Sequence, residues 1–236
     1  MELGEIFSDA LVYPFQNIKA LIVYIILGII LGIAIAGTVG AIAVGSAYDN
    51  VLAIIGSGII GIIIALVISF VISGYQLDIV KYGIERDNGA PGIDIARQFI
   101  NGVKYFVVNI VYMLIPIIIS AILAVIFQHW LSLIITIIVS IIFALALIMG
   151  QCRLAKTGDL GHALAVGEAI GDISKVGIVK VILFVIILFI IALVLSAIVG
   201  AISQWNAIVG GILIGILGVY IAFFSARATG LLYSDV

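Results

Sequence analysis

The chain has 236 residues, of which 65% are hydrophobic and only 9% are charged, and its mean hydropathy is +1.47. A soluble globular domain carries about 25% charged residues, so the composition predicts an integral membrane protein with little soluble mass. The formal net charge of -2 argues against a nucleic-acid partner, because nucleic-acid binding requires a basic face. The single cysteine, Cys152, excludes an internal disulfide bond.

Six apolar segments are each long enough to cross a hydrocarbon layer of roughly 30 Å as a helix of about 20 residues. The turns within each successive pair are short, so the pattern predicts three antiparallel helix hairpins. The first segment follows an acidic stretch and is too long for a cleavable signal, so we expect it to remain as a membrane anchor. The predicted spans are 20–44, 51–74, 105–126, 131–149, 179–199 and 208–224.

The ten Lys and Arg residues are distributed asymmetrically about these spans. The three short loops around Asp49, His129 and Trp205 carry none of them, whereas the N-terminal arm, the two longer connections and the C-terminal tail carry all ten. Positively charged loops stay in the cytoplasm during membrane insertion. We therefore expect a multi-pass protein of the cell membrane whose N- and C-termini are both cytoplasmic.

A short amphipathic segment precedes each hairpin, with polar residues such as Asp9, Asp94 and Asp172 opposite an apolar stripe. Each segment predicts an interfacial helix on the cytoplasmic side. Interfacial helix and hairpin together form a unit that occurs three times. We expect one membrane domain, 1–236, with candidate repeats 1–85, 90–157 and 158–233 and pseudo-threefold symmetry, although any six-span protein with short outer loops shows some such alternation. The apolar stripes are Leu3, Ile6, Phe7, Ala10 and Leu11, then Ala96, Phe99, Ile100 and Val103, then Val166, Ile170 and Ile173.

Several short motifs are similar to those of a known family. They are residues 9–15 (DALVYPF), residues 74–75 (GY), residues 99–105 (FINGVKY), Tyr112 and Pro116. Through them the chain resembles an uncharacterised prokaryotic integral membrane family, domain of unknown function four-zero-one-three, which is common in methanogenic archaea. It departs from that family's pattern at residues 90–93 (APGI), where the family tends to have a Leu-Pro and an acidic or aromatic residue. The resemblance implies a helical polytopic protein of unknown activity and transfers no catalytic residue.

Glycines in the spans are spaced for close helix packing. Two GxxxG pairs would let helix backbones approach each other. Residues 56–61 also match a dinucleotide-binding pattern, but that pattern requires a strand followed by a helix, so packing explains it better. The close helix contacts would lie within one chain, between two copies of the chain or along a pore. The glycine spacing does not distinguish these cases. The glycines assigned to helix packing are Gly28, Gly32, Gly56, Gly61, Gly211 and Gly215.

The third predicted span contains a polar pair and a proline. Asn109 and Tyr112 share one helical face and are candidates for lining a cavity, with interhelical hydrogen bonding as the simpler explanation. Pro116 removes one backbone hydrogen bond and should kink the helix, either as a gate or as a bend that fits the bundle. We treat Asn109, Tyr112 and Pro116 as a candidate cavity or gate.

The sequence contains no recognisable catalytic, cofactor or metal motif. The middle of each predicted span lacks ionisable residues, which mark most ion-coupled pathways. His129 and His162 are predicted on opposite sides of the membrane, so they cannot share a metal site within one chain. We therefore expect no catalytic residue, cofactor or metal. The charges of residues 78–101 are those of a solvated loop, and no cluster of four basic residues, which would indicate anionic-lipid binding, is apparent.

The sequence predicts an all-α membrane bundle without identifying an activity. The leading hypothesis is a non-enzymatic scaffold, accessory subunit or organiser of the bilayer, in contact with membrane lipids and with a homo-oligomer or a membrane-protein partner left open. The alternative is a channel or permease for an uncharged small solute, with Asn109, Tyr112 and Pro116 at its core. The third hypothesis is an intramembrane enzyme that acts on lipid through residues 78–101.

Overall fold

The computed structural model describes residues 1–48, 50–126, 130–205 and 207–236, and the regular elements in these ranges are all helices. The predicted loop residues Asp49 and His129 lie outside the described residues, as does the side chain of Trp205. In chain order the helices are α1 (Leu3–Gln16), α2 (Ile18–Ala47), α3 (Val51–Ile84), α4 (Ile95–Ile126), α5 (Trp130–Thr157), α6 (Leu160–Ala163), α7 (Val166–Val176), α8 (Ile178–Trp205) and α9 (Ala207–Tyr233).

Six of the described helices, α2, α3, α4, α5, α8 and α9, are long and apolar enough to cross a membrane. This confirms the number of spans expected from the sequence. A helix suits such segments because all its backbone hydrogen bonds are made internally, where no water can replace them. Four of the helices extend well beyond the predicted spans. α3 continues past residue 74 to Ile84 and α4 begins at Ile95, while α5 and α9 continue to Thr157 and Tyr233. Much of the predicted 78–101 connection is therefore helical and not a solvated loop.

Separate short helices precede two of the three helix pairs. α1 ends at Gln16, and the buried side chain of the next residue, Asn17, donates to the Tyr13 carbonyl oxygen at 3.1 Å, one of the last carbonyls of the helix. α7 ends at Val176, and the φ of +105° at the next residue, Gly177, interrupts the chain before α8 begins. No such break precedes the third span, because residues 95–105 continue directly into α4. The prediction of a separate interfacial helix is thus wrong for this segment.

Three helices form the inner part of the bundle. α3, α5 and α9 all contact one another, and α2 packs against both α3 and α9. α4 packs in the same way against both α3 and α5. α8 differs, because its principal contacts are with α9 and the short helix α7. α2 therefore covers the groove between α3 and α9, and α4 covers the groove between α3 and α5. The groove between α5 and α9 is less covered, because α8 packs mainly on α9.

The buried core lies towards one end of the bundle, which we call the charged face and define by Asp78, Arg153 and Arg227 near the ends of α3, α5 and α9. The two termini meet at this face, where the Met1 amino group lies 3.0 Å from an Asp235 carboxylate oxygen. Towards the other end most large apolar side chains are exposed and available to lipid. Next to the charged face the rings of Tyr24 and Tyr75 stack with their centroids 4.1 Å apart, and the Phe223 ring packs against both at a tilt.

Candidate functional site

The first ion pair of the charged face joins α3 to α4. Asp78 is only 6% exposed, and its carboxylate accepts hydrogen bonds from Arg97 Nη1 at 3.0 Å and Gln98 Nε2 at 3.4 Å. The Gln98 side-chain oxygen in turn accepts the Tyr24 hydroxyl at 2.5 Å. A buried carboxylate is costly unless it is paired and hydrogen-bonded, so these contacts make the α3–α4 end a fixed structure.

The second ion pair joins α5 to α7. Asp172 is fully buried, and it accepts hydrogen bonds from Lys175 Nζ at 2.6 Å, the Tyr233 hydroxyl at 2.6 Å and Arg153 Nη1 at 3.0 Å. Arg153 also pairs with Glu168. Burial acts to raise the pKa of Asp172, but the hydrogen bonds from Lys175, Tyr233 and Arg153 outweigh it and hold the pKa below its usual value. Assigning Asp172 to an exposed polar face was wrong, because partners from two other helices satisfy its charge.

The third ion pair joins α9 to α1. Arg227 is 1% exposed, and its Nε donates to Asp9 Oδ1 at 2.7 Å. Its Nη1 donates to the Asp87 carbonyl oxygen at 2.5 Å, and its guanidinium group lies 4.7 Å from the centre of the Tyr13 ring. One arginine thus binds the N-terminal helix, the end of α9 and the loop after α3 together.

Four basic side chains meet in a cavity between the ends of α3, α4 and α5. Lys81, Arg97, Lys104 and Lys156 line a volume of about 170 Å³, and Asp78 forms part of its wall. The four residues belong to three helices, whose ends converge on this point. The expectation that the chain has no cluster of four basic residues is therefore wrong for the folded protein.

The sequence was compared with known families, curated proteins and solved structures. Residues 57–204, more than half the chain, match the family described as "Protein of unknown function (DUF4013)". The chain belongs to this family. No curated protein and no solved structure matches it.

The DUF4013 match begins within α3 and ends within α8. It therefore includes the four basic residues of the cavity and both members of the Asp78–Arg97 and Arg153–Asp172 pairs. α1 and Arg227 lie outside the matched segment. Because the family's function is unknown, membership supports the resemblance seen in the sequence and supplies no activity.

The residues proposed as a cavity or gate make hydrogen bonds inside the DUF4013 fold. Asn109 Nδ2 donates to the Tyr105 carbonyl oxygen at 2.8 Å, and Gln151 Nε2 of α5 donates to Asn109 Oδ1 at 3.2 Å. The Tyr112 hydroxyl donates to the Ala163 carbonyl oxygen at 2.8 Å. Pro116 is buried within a helix that continues to Ile126. A gating role for these residues stays a prediction.

The predicted packing glycines have different surroundings. A Cβ built on Gly28 would lie 2.8 Å from Val219 Cγ2 of α9, and one on Gly61 would lie 1.7 Å from Thr38 Oγ1 of α2. A Cβ on Gly215 would approach Ile29 Cγ1 of α2 at 3.2 Å. A Cβ on Gly32 or Gly56 would meet nothing within 4 Å. The surroundings of Gly211 lie outside what the structure describes.

A close backbone contact between α3 and α4 was not identified from the sequence. A Cβ on Gly74 of α3 would lie 1.8 Å from the Gln98 carbonyl oxygen, and one on Gly102 of α4 would lie 1.8 Å from the Phe70 carbonyl oxygen. The two glycines bring the helix backbones into contact beside the Asp78–Arg97 pair. A sequence signal existed, since each glycine interrupts an otherwise bulky stretch, but its partner could not be inferred.

Two further polar groups, His162 and Cys152, lie outside the three ion pairs. His162 Nδ1 lies 2.8 Å from Asp159 Oδ2 on the exposed surface. Cys152 is a free, buried thiol. Within the residues that the structure describes, no group of three His, Cys, Asp or Glu side chains could hold a metal ion.

Proposed function

We propose that this protein is a non-enzymatic membrane scaffold or accessory subunit whose charged face is a rigid platform. The observation that carries the proposal is that three buried or half-buried ion pairs join different helices at this face. Asp78, Asp172 and Arg227 are each engaged by several partners. Such contacts hold the helix ends in fixed positions, as a scaffold requires.

The proposal includes three helix hairpins related by pseudo-threefold symmetry. Each ion pair links one candidate repeat to the next: Asp78 of 1–85 to Arg97 of 90–157, and Arg153 of 90–157 to Asp172 of 158–233. Arg227 then links the last repeat back to Asp9 of the first. Mutual contact of α3, α5 and α9, the second helix of each pair, also favours this arrangement. In this arrangement the three ion pairs connect the three repeats in a closed ring at the charged face.

The charged face is proposed to lie at the cytoplasmic surface of the cell membrane. All ten Lys and Arg residues belong to it or to its flanking segments, and positive residues stay on that side during insertion. Exposed apolar residues of α1, such as Phe15 at 63% and Val12 at 49%, would contact the lipid surface. The platform would then present its solvated charges to a membrane-protein partner or to a second copy.

The proposal is tested by mild extraction of the tagged protein from its own membrane, followed by native mass spectrometry. We expect a stoichiometric protein companion that is retained by Asn109→Leu and lost on Glu85→Lys. Glu85 is suited to charge reversal because it is 53% exposed and makes only a loose pair with Lys81 at 4.0 Å. A companion that survives Glu85→Lys, or a chain that carries no companion, would contradict the proposal.

Two further assays separate the other hypotheses. Solute flux into liposomes that is abolished by Asn109→Leu would replace the scaffold with a permease. A lipid-modifying activity abolished by Glu85→Ala, with unchanged thermal unfolding, would replace it with an enzyme. We expect neither activity in the purified protein.

A further inference from the structure

The cavity between α3, α4 and α5 has a charge opposite to that of the whole protein. Four cationic side chains and one carboxylate line it, whereas the chain as a whole has a net charge of -2. Concentrating cations in one cavity of an acidic protein is electrostatically unfavourable without a counter-charge. The intramolecular contacts of the four cations show how much of this charge is already compensated.

Arg97 is the best compensated of the four. It pairs with Asp78 at 3.0 Å and also donates to the Gly92 carbonyl oxygen at 2.9 Å. Lys81 has only its 4.0 Å pair with Glu85, which is 53% exposed. An exposed pair of this kind contributes little. Arg97 therefore forms a fixed wall of the cavity, and Lys81 remains available at its edge.

Lys104 and Lys156 form no ion pair with any carboxylate in the part of the chain that the structure describes. Lys104 Nζ donates to the Gly158 carbonyl oxygen at 2.8 Å, which caps the end of α5 and uses one of its three N–H donors. Lys156 Nζ lies 5.7 Å from the centre of the Tyr233 ring. The exposed Asp159 carboxylate attracts Lys104 through space. That carboxylate is, however, hydrogen-bonded to the His162 ring and the Gly161 N–H. Both lysines thus keep free donors for an external anion.

The position of the cavity restricts the source of that anion. It lies at the ends of helices that are long and apolar enough to span a membrane, which is the depth of the lipid headgroups. Basic pockets between membrane helices on the cytoplasmic side bind phosphate-bearing headgroups. The amide of Asn101 and the hydroxyl of Thr157 also line the cavity and can orient a phosphate oxygen.

We propose that this cavity binds the phosphate group of an anionic lipid headgroup, with Lys104 and Lys156 as its main ligands and Lys81 and Arg97 as supporting cations. The site would hold one lipid at the junction of the first two candidate repeats. This inference is independent of the scaffold role, since a permease or an enzyme could carry the same site.

The test uses the full-length protein in detergent, titrated with phosphatidylglycerol, with phosphatidylcholine or with inorganic phosphate. Bound lipid is counted by native mass spectrometry, and stability is followed by thermal unfolding. We expect phosphatidylglycerol to remain bound one-to-one and to raise the melting temperature, with little effect of phosphatidylcholine. Equal stabilisation by inorganic phosphate alone would overturn the lipid as the source of the anion, and equal retention of phosphatidylcholine would overturn selectivity for negative charge.

Matched variants separate a built site from general attraction to a basic surface. Each of Lys104→Gln and Lys156→Gln should weaken phosphatidylglycerol binding roughly fivefold, because one basic residue near the membrane surface contributes about that factor. Lys19→Gln removes the same charge from the exposed start of α2 and should leave the affinity unchanged. Equal losses in all three variants would overturn the proposal. Lys104→Arg keeps the charge and should retain binding, so its failure to bind while still folded would also count against the site.

Discussion

Arg227 donates a hydrogen bond from Nε to Asp9 Oδ1 at 2.7 Å, and this contact joins the last membrane helix to the first helix of the chain. The Arg227 side chain is 1% exposed, whereas the Asp9 side chain is 32% exposed. Arg227 therefore relies on Asp9 to stabilise its charge, because it has lost nearly all contact with water. In the Asp78–Arg97 pair the anion is the buried member: the Asp78 side chain is 7% exposed and the Arg97 side chain is 45% exposed.

Replacement of Asp9 by Asn should destabilise the protein by about 3 kcal/mol, the lower end of the range for breaking a buried ion pair. The lower end is appropriate because Arg227 would keep the Asp87 carbonyl oxygen as a partner. The free energy of unfolding in mixed micelles measures the effect. As a control, Asp235→Asn alters the pairs that this 48% exposed carboxylate makes with Arg86 and with the Met1 amino group. Because these are surface pairs, the substitution should change stability by less than about 1 kcal/mol. Equal effects of the two substitutions would show that burial of Arg227 is not what matters.

The spans were predictable because hydropathy determines which segments enter the bilayer. Their ends were not, because a hydropathy pattern stops at the first charges. Asp78 and Arg97 stand where the sequence suggests a solvated loop, yet each satisfies the other across the α3–α4 contact and both helices continue. Only the fold could reveal this, since the two residues belong to different helices.

The basic cavity illustrates the same limit. Lys104 and Lys156 appear in the sequence as isolated lysines near the ends of two spans. They become one site because the start of α4 and the end of α5 meet beside α3. Residue spacing along the chain contains no information about that convergence, so a search for basic runs could not find it.

Ala at position 74 should disrupt the α3–α4 crossing, because its Cβ would lie 1.8 Å from the Gln98 carbonyl oxygen. Backbone cannot move aside as a flexible side chain can, so we expect a loss of about 1–3 kcal/mol from overpacking. Thermal unfolding in detergent measures it. Gly32→Ala is the matched control, since a Cβ there would meet nothing within 4 Å. Comparable melting temperatures for Gly74→Ala and the wild type would contradict the close contact.

The orientation of the charged face can be measured by labelling single cysteines. Both variants are made on a Cys152→Ser background. Tyr48→Cys places a thiol at an 81% exposed position on the side opposite the charged face. Gly92→Cys places a thiol on the charged face, where nothing lies within 4 Å of the new Cβ. A membrane-impermeant maleimide applied to intact cells should label position 48 and reach position 92 only after permeabilisation. The reverse pattern would place both termini outside the cytoplasm and contradict the positive-inside argument.

Stability should fall in acid through Asp172. Hydrogen bonds from Lys175, Tyr233 and Arg153 outweigh the effect of burial and hold the pKa of Asp172 below its usual value, which is about 3.9 in an unfolded chain. A carboxylate with a lowered folded-state pKa binds protons more readily when unfolded. Its stabilising contribution is therefore fully present above about pH 4 and is lost as the pH falls through the folded-state pKa. The relevant quantity is the difference in unfolding free energy between the wild type and Asp172→Asn, which cancels the titration of the other carboxylates. We expect that difference to be about 3 kcal/mol near neutral pH and to shrink steadily below about pH 4. A difference that stays constant down to pH 3 would mean that the negative charge of Asp172 does not hold α7 against α5.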